Sequence, residues 1–82
     1  MFLHIGEEYL IKKKNIIGIF DIENTTISKI TREYLTDKEK RGQIVTVNDE
    51  LPKSFIVTHE KNENIIFITS ISSRTLEKRM KR

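Results

Sequence analysis

The 82-residue chain has no cysteine, one proline, three glycines and two histidines. Without cysteine there is neither a disulfide framework nor a thiolate metal site. No apolar run approaches the roughly 20 residues needed to span a bilayer. The opening MFLHIGEEYLIKKK is broken by Glu7 and Glu8 and lacks the long apolar stretch of a signal peptide. The chain therefore reads as cytoplasmic, with no membrane partner. Catalytic signatures are missing as well. There is no HExxH, no glycine-rich phosphate loop and no nucleophile elbow. His4 and His59 are far apart in strand-like runs, where a satisfied or surface histidine is expected rather than a ligand or base. Asp21 and Glu23 alternate at a strand end, a pattern that suits a cap or an ion pair. A calcium site would need further oxygen donors at a loop-like spacing. The expectation is a protein that is not an enzyme and has no cofactor and no metal.

What is present points to a small globular protein. Charged residues make up 33% and hydrophobic residues 37%, a balance that suits a folded soluble chain. The length fits one domain over residues 1–82. A chain this short buries only about 60–65% of its unfolded surface, so association with copies of itself is a natural supplement.

Most apolar residues are isoleucine, which suits strands. Strand character is clear in FLHI (2–5), YLIK (9–12), NIIGIFDI (15–22), QIVTVN (43–48), SFIVTH (54–59) and NIIFITSI (64–71). Gly6 can supply a bend between the first two. The nearly unbroken apolar run 15–22 predicts burial on both faces or a central position in the sheet, with Gly18 marking a close approach or a bulge. The last three stretches, joined across Pro52 and the polar EKNEN, predict an antiparallel meander. Phe20, Phe55 and Phe67 all fall inside strand patterns and are assigned to the core.

Between these groups lies NTTISKITREYLTDKEKRG (24–42). Thr25 or Thr26 can cap a helix, and Ile27, Ile30, Tyr34 and Leu35 form an amphipathic stripe. Gly42, after Lys38, Lys40 and Arg41, provides a stop. A second helix is expected after Ser72 as its cap, with Leu76 and Met80 one turn apart. The fold class is α+β: a mainly antiparallel sheet of about five strands with one helix between strands 3 and 4 and one at the C-terminus.

Charge is unevenly placed. The final eleven residues, SSRTLEKRMKR, hold five bases and one acid, whereas the remainder holds ten bases and eleven acids. Two readings remain open. The tail helix can dock through Leu76 and Met80 with its bases solvated, or Arg74, Lys78 and Arg79 can contact phosphates, where counterion release drives binding. The same choice applies to Lys12, Lys13 and Lys14. Three consecutive lysines cannot all face a sheet, so part of this run lies in a loop or on an edge, where lysine also blocks aggregation. Together the two clusters could form one positive surface. Neither is interleaved with the exposed aromatics that single-strand or RNA binders use for stacking.

Four stretches in this order, MFLHIGEEYLI, IIGIFDIENTT, LPKSFIVT and ITSISSRTLEKR, resemble the RemB (YaaB) family across essentially the whole chain. These small bacterial proteins are relatives of RemA, a regulator of extracellular-matrix (biofilm) genes. The resemblance implies a transcription regulator that binds double-stranded DNA as a ring-shaped homo-oligomer, with a subunit similar to the DNA-binding LytTR domain. In the RemA branch one DNA-contacting arginine precedes the long strand, which corresponds here to the region Lys13 to Asn15. An arginine pair precedes the penultimate strand, where this chain has Glu50, Leu51 and Pro52, leaving Lys53 as the nearby base. The expected DNA-binding residues are therefore Lys12, Lys13, Lys14, Lys53, Arg74, Lys78 and Arg79. The alternative is an oligomerising interaction module that acts without touching DNA, through itself or a RemA-like relative.

Overall fold

The boundaries of the elements follow from turn chemistry. Residues 1–22 and 29–81 are described in the computed structural model. Strands β1 (Phe2–His4) and β2 (Leu10–Lys12) form an antiparallel hairpin in which Leu3 faces Ile11. Gly6 makes the bend at φ 122°, and a Cβ there would lie 3.1 Å from Val47 Cγ1 and 3.2 Å from Thr69 Oγ1. Only a residue without a side chain lets the hairpin tip press this closely on the rest of the fold. A single 3₁₀ turn, Lys13–Asn15, then leads into β3 (Ile16–Asp21).

Helix α1 spans Lys29–Lys40. It ends as Gly42 predicts. Gly42 has φ 70°, its N–H donates to Glu39 O at 3.0 Å, and Gln43 N donates to Lys38 O at 2.9 Å. This is a Schellman closure, which satisfies carbonyls that the helix would otherwise leave without partners. The candidate caps Thr25 and Thr26, the stripe residue Ile27, and also Glu23 and Ser28, lie outside the described residues.

Strands β4 (Ile44–Thr46), β5 (Ser54–Glu60) and β6 (Glu63–Thr69) complete the sheet. The β5–β6 hairpin turns through Lys61 and Asn62, at φ 53° and 66°. Two consecutive positive φ values are what a type I′ turn requires, and its twist matches that of the strands. Helix α2 (Ser73–Met80) closes the fold, with Ser72 Oγ accepting from Thr75 N at 3.2 Å as its N-cap.

The expected class, α+β with helices on a mainly antiparallel sheet, holds, but three particulars differ. The described residues form two sheets rather than one of about five strands: the β1–β2 hairpin and a four-stranded sheet ordered β3-β5-β6-β4. The last three strands are not a meander. β4 pairs parallel with β6, Ile44 opposite Ile66, so residues 47–53 cross the end of β6 before β5 begins. The interior strands are β5, whose residues Ser54 to Thr58 are all buried, and β6, whereas the apolar β3 is an edge strand that pairs with β5. An unbroken apolar run signals contact on both sides without saying what supplies it. Gly18 does mark a bulge, because the register shifts between Ile16 and Gly18.

The four-stranded sheet has two unlike faces. On one, the β1–β2 hairpin and α2 pack over Ile56, burying Leu3, Ile5, Ile11, Val47 and Leu76 together. On the other, Phe55, Val57 and Ile66 are buried beneath Tyr34 and Leu35 of α1. Buried hydroxyls tie the first face together. Thr69 Oγ1 donates to Ile5 O at 2.6 Å, and Ser54 Oγ donates to Ile71 O at 2.6 Å. A donor left without a partner in such a place costs about 1–3 kcal/mol. Among the described residues no buried side-chain polar atom lacks a partner. No helix among them is long and apolar enough to cross a membrane.

Candidate nucleic-acid interface

The hairpin and α2 meet on one face of the sheet because both present isoleucine or leucine to it, and this packing brings together two basic segments that are distant in sequence. Lys12 ends β2, and Lys13 and Lys14 lie in the 3₁₀ turn that follows. Lys13 is half-buried, and its ammonium donates to Met80 O at 3.2 Å. The cation thereby sits at the carbonyl end of α2, where the helix dipole favours positive charge. From the other side, Arg79 Nη1 donates to His4 O at 3.0 Å. Lys13 thus reaches the backbone at the end of α2, and Arg79 reaches the backbone of the β1–β2 hairpin. Around this double clasp Lys12, Lys14, Lys78 and Lys81 are exposed.

Lys53 and Arg74 lie elsewhere. Lys53 lines a shallow cleft with Asp21, Leu51, Pro52, Ser72 and Ser73, at the start of α2. Eight helical residues, about 12 Å along the axis, separate that end from the lysine turn. Lys53 also has a backbone role: its N–H donates to Thr69 O and its carbonyl accepts from Ile22 N, both at 3.0 Å. Glu50, three residues before it, is held in place. Asn48 Nδ2 donates to Ser70 Oγ, which in turn donates to Glu50 Oε2, each at 3.0 Å. This fixed carboxylate lies on the segment that crosses the end of β6.

The two histidines match the expectation of satisfied surface residues. His4 Nε2 lies 2.6 Å from Glu7 O, and His59 Nδ1 lies 2.6 Å from Asn64 Oδ1. No group of three or more metal-ligating side chains occurs among the described residues. The tail question is resolved on its packing side. Leu76 is fully buried and Met80 packs against the same core, so α2 is a docked helix.

The aromatic assignment needs one correction. Phe55 is buried, but Phe20 is 38% exposed and stacks on it, with ring centroids 5.1 Å apart. Phe20 lies on the edge strand β3, and its ring lines a groove beside α1. Beside it Ile17 is 62% exposed and Ile30 of α1 is 79% exposed, although Ile30 belongs to the expected core stripe. With Tyr34, Phe55 and Val57 they line an apolar groove of about 370 Å³. The sequence did carry a signal for this groove: apolar residues at every position from Ile16 to Phe20 except Gly18 exceed what one sheet face can bury.

A small α+β protein with a basic surface built from both ends of its chain is the setting in which the sequence comparisons fall. The sequence model described as RemA-like, extracellular matrix regulatory protein A-like, matches residues 2–80, and the chain belongs to that family. Within it, the chain is similar to the extracellular matrix regulatory protein B of Bacillus subtilis (strain 168). The two are 33% identical over 79 residues, which cover 96% of this chain and 89% of that protein.

Proposed function

We propose that this chain is a cytoplasmic transcription regulator of extracellular-matrix (biofilm) genes that binds duplex DNA as a homo-oligomer. The subunit would act as a LytTR-like module, regulatory rather than catalytic. The observation that carries this reading is the double clasp of Lys13 on Met80 and Arg79 on His4, which gathers the lysine turn and the end of α2 into one basic surface. Lys12, Lys14 and Lys78 are the bases free to reach phosphates in this arrangement, while Lys13 and Arg79 hold it together. Oligomerisation would repeat the surface and raise its effective concentration on one duplex without new contacts. Specificity would come from DNA shape and from the spacing of the repeats along a bent site. Lys53 and Arg74 would contact the backbone of the same duplex from the far end of α2.

A second reading, an interaction module of the same regulatory pathway that does not itself touch DNA, draws on Glu50. A carboxylate held by Ser70 on the segment next to Lys53 would repel a phosphate there. Fluorescence anisotropy of a labelled promoter duplex, titrated at several salt concentrations, separates the two. Under the DNA-binding reading, the Lys12→Ala/Lys14→Ala double variant should bind more weakly and with a shallower salt dependence. Each lost phosphate contact lowers the slope of log K against log salt by about 0.9. A folded, assembled protein that shows no binding at low salt would leave the interaction module standing.

A further inference from the structure

No aromatic residue interrupts the run from Lys12 to Lys14 in the sequence, yet hairpin pairing brings one beside it. The register of β1 and β2 sets Phe2 directly opposite Lys12. Leu3 and Ile11 turn inward, so Phe2 and Lys12 both project from the outer face, where Phe2 is 57% exposed. Side chains paired in this way have Cβ atoms about 4.5–5.5 Å apart. The backbone N–H of Lys13 donates to Met1 O at 3.0 Å, which ties the start of the chain to the lysine turn. The result is a depression of about 450 Å³ lined by Met1, Phe2, Lys12, Lys13 and Lys14. That volume falls within the range of small-ligand sites, about 300–1,000 Å³. Its lining holds three ammonium groups, one aromatic ring and, among the described residues, no acid.

We propose that this depression binds a nucleoside polyphosphate, with its base stacked on Phe2 and its phosphates on Lys12 and Lys14. Each half of the site selects one half of such a ligand. A lysine ammonium is a compact charge that suits phosphate, and three of them on one short turn match the several negative charges of adjacent phosphates. An inorganic anion uses these charges alone and leaves Phe2 in water. A nucleobase adds a π-face, and stacking on one aromatic ring is worth about 5- to 150-fold in affinity. Lys13 has a different part. Its ammonium is fixed on Met80 O, so it adds charge to the site from a set position. The ligand occupies Lys12 and Lys14, two of the bases proposed above to reach the phosphates of a duplex. A bound nucleotide therefore competes with duplex DNA, which gives the regulator a small-molecule input. The nucleotide site stands by itself, and only this competition rests on the DNA-binding reading.

Isothermal titration calorimetry of the full chain at low salt tests the site, with ATP, adenosine and inorganic triphosphate as probes. ATP should bind more tightly than either of the others. Phe2→Ala should weaken ATP binding by about 5- to 150-fold and leave triphosphate binding unchanged. Lys12→Ala/Lys14→Ala should weaken both and flatten their salt dependence. Far-UV circular dichroism confirms folding, and Phe2→Tyr, which keeps a stacking ring, should retain ATP binding even if Phe2→Ala is unstable. The chain has no tryptophan, so Phe2→Trp adds a single reporter whose emission ATP should quench and triphosphate should not. Triphosphate that binds as tightly as ATP, or a folded Phe2→Ala variant with unchanged ATP affinity, overturns the proposal. So does a lack of ATP binding, which leaves the regulator reading intact. A short single-stranded DNA that binds through Phe2 more tightly than ATP overturns the nucleotide assignment in favour of that ligand. Finally, ATP should displace a labelled duplex further than triphosphate does at equal concentration. A chain that binds ATP and the duplex together overturns the competition, whereas one that binds ATP and no duplex refutes the DNA-binding reading and upholds the nucleotide site.

Discussion

The two faces of the four-stranded sheet are built from similar residues and finished differently. On the hairpin face, six buried residues from five separate segments meet, and hydrogen bonds join positions 64, 67 and 75 residues apart. On the α1 face, three residues are buried, all from β5 and β6, and the covering helix contributes only half-buried side chains. The difference shows that a small sheet can be stable with one well-sealed side. The second side is then available to carry an apolar surface for other purposes.

Substitutions on the two faces should therefore have unequal costs. The largest effect is expected at Leu76, fully buried between α2 and the hairpin. Leu76→Ala should lose about 2–5 kcal/mol of stability, measured by urea denaturation. A loss below about 1 kcal/mol would mean that the hairpin face is not the main core. Next comes Thr69→Val, which keeps the shape but leaves the Ile5 carbonyl without its donor and should cost about 1–3 kcal/mol. Ser72→Ala removes the N-cap of α2 and should cost about 1 kcal/mol. Lys13→Ala should cost somewhat less, about 0.3–1 kcal/mol, through loss of the cation at the end of α2. High salt should reduce that difference. At the bottom of the scale, Ile30→Ala on the α1 face should change the stability of the isolated chain by no more than about 0.5 kcal/mol. Hydrogen exchange offers one more check: amides of α1 should open at lower free energy than those of β5 and β6.

How much of this was legible in the sequence depended on whether the signal was local. Gly42 and Ser72 were readable as helix ends, because each acts through hydrogen bonds to residues within one turn. The bulge at Gly18 and the polar hairpin before Asn64 were readable for the same reason. Strand order was not. Alternation and apolar content record how many sides of a strand are covered, but the parallel pairing of β4 with β6 depends on which neighbour arrives, and an antiparallel meander satisfies the same local pattern. The candidate site divides in the same way. Its residue types were evident from the clustering of charge. That Lys13 and Arg79 would be spent on the backbone while Lys12, Lys14 and Lys78 stay exposed could not be read from a run of like residues. It follows from the meeting of segments more than 60 residues apart.

That meeting also has a consequence during synthesis. Leu3, Ile5 and Ile11 are made more than 60 residues before the partner that seals them, Leu76. At about 5–20 residues per second, the ribosome leaves the inner face of the hairpin without its cover for several seconds. The β5–β6 hairpin, by contrast, can form within about 1–10 μs of its two strands emerging. The basic surface therefore comes into existence only when α2 leaves the exit tunnel and docks. A nascent or truncated chain that lacks α2 would present sticky isoleucines and no assembled cationic patch, so its first encounters would be with chaperones rather than with nucleic acid.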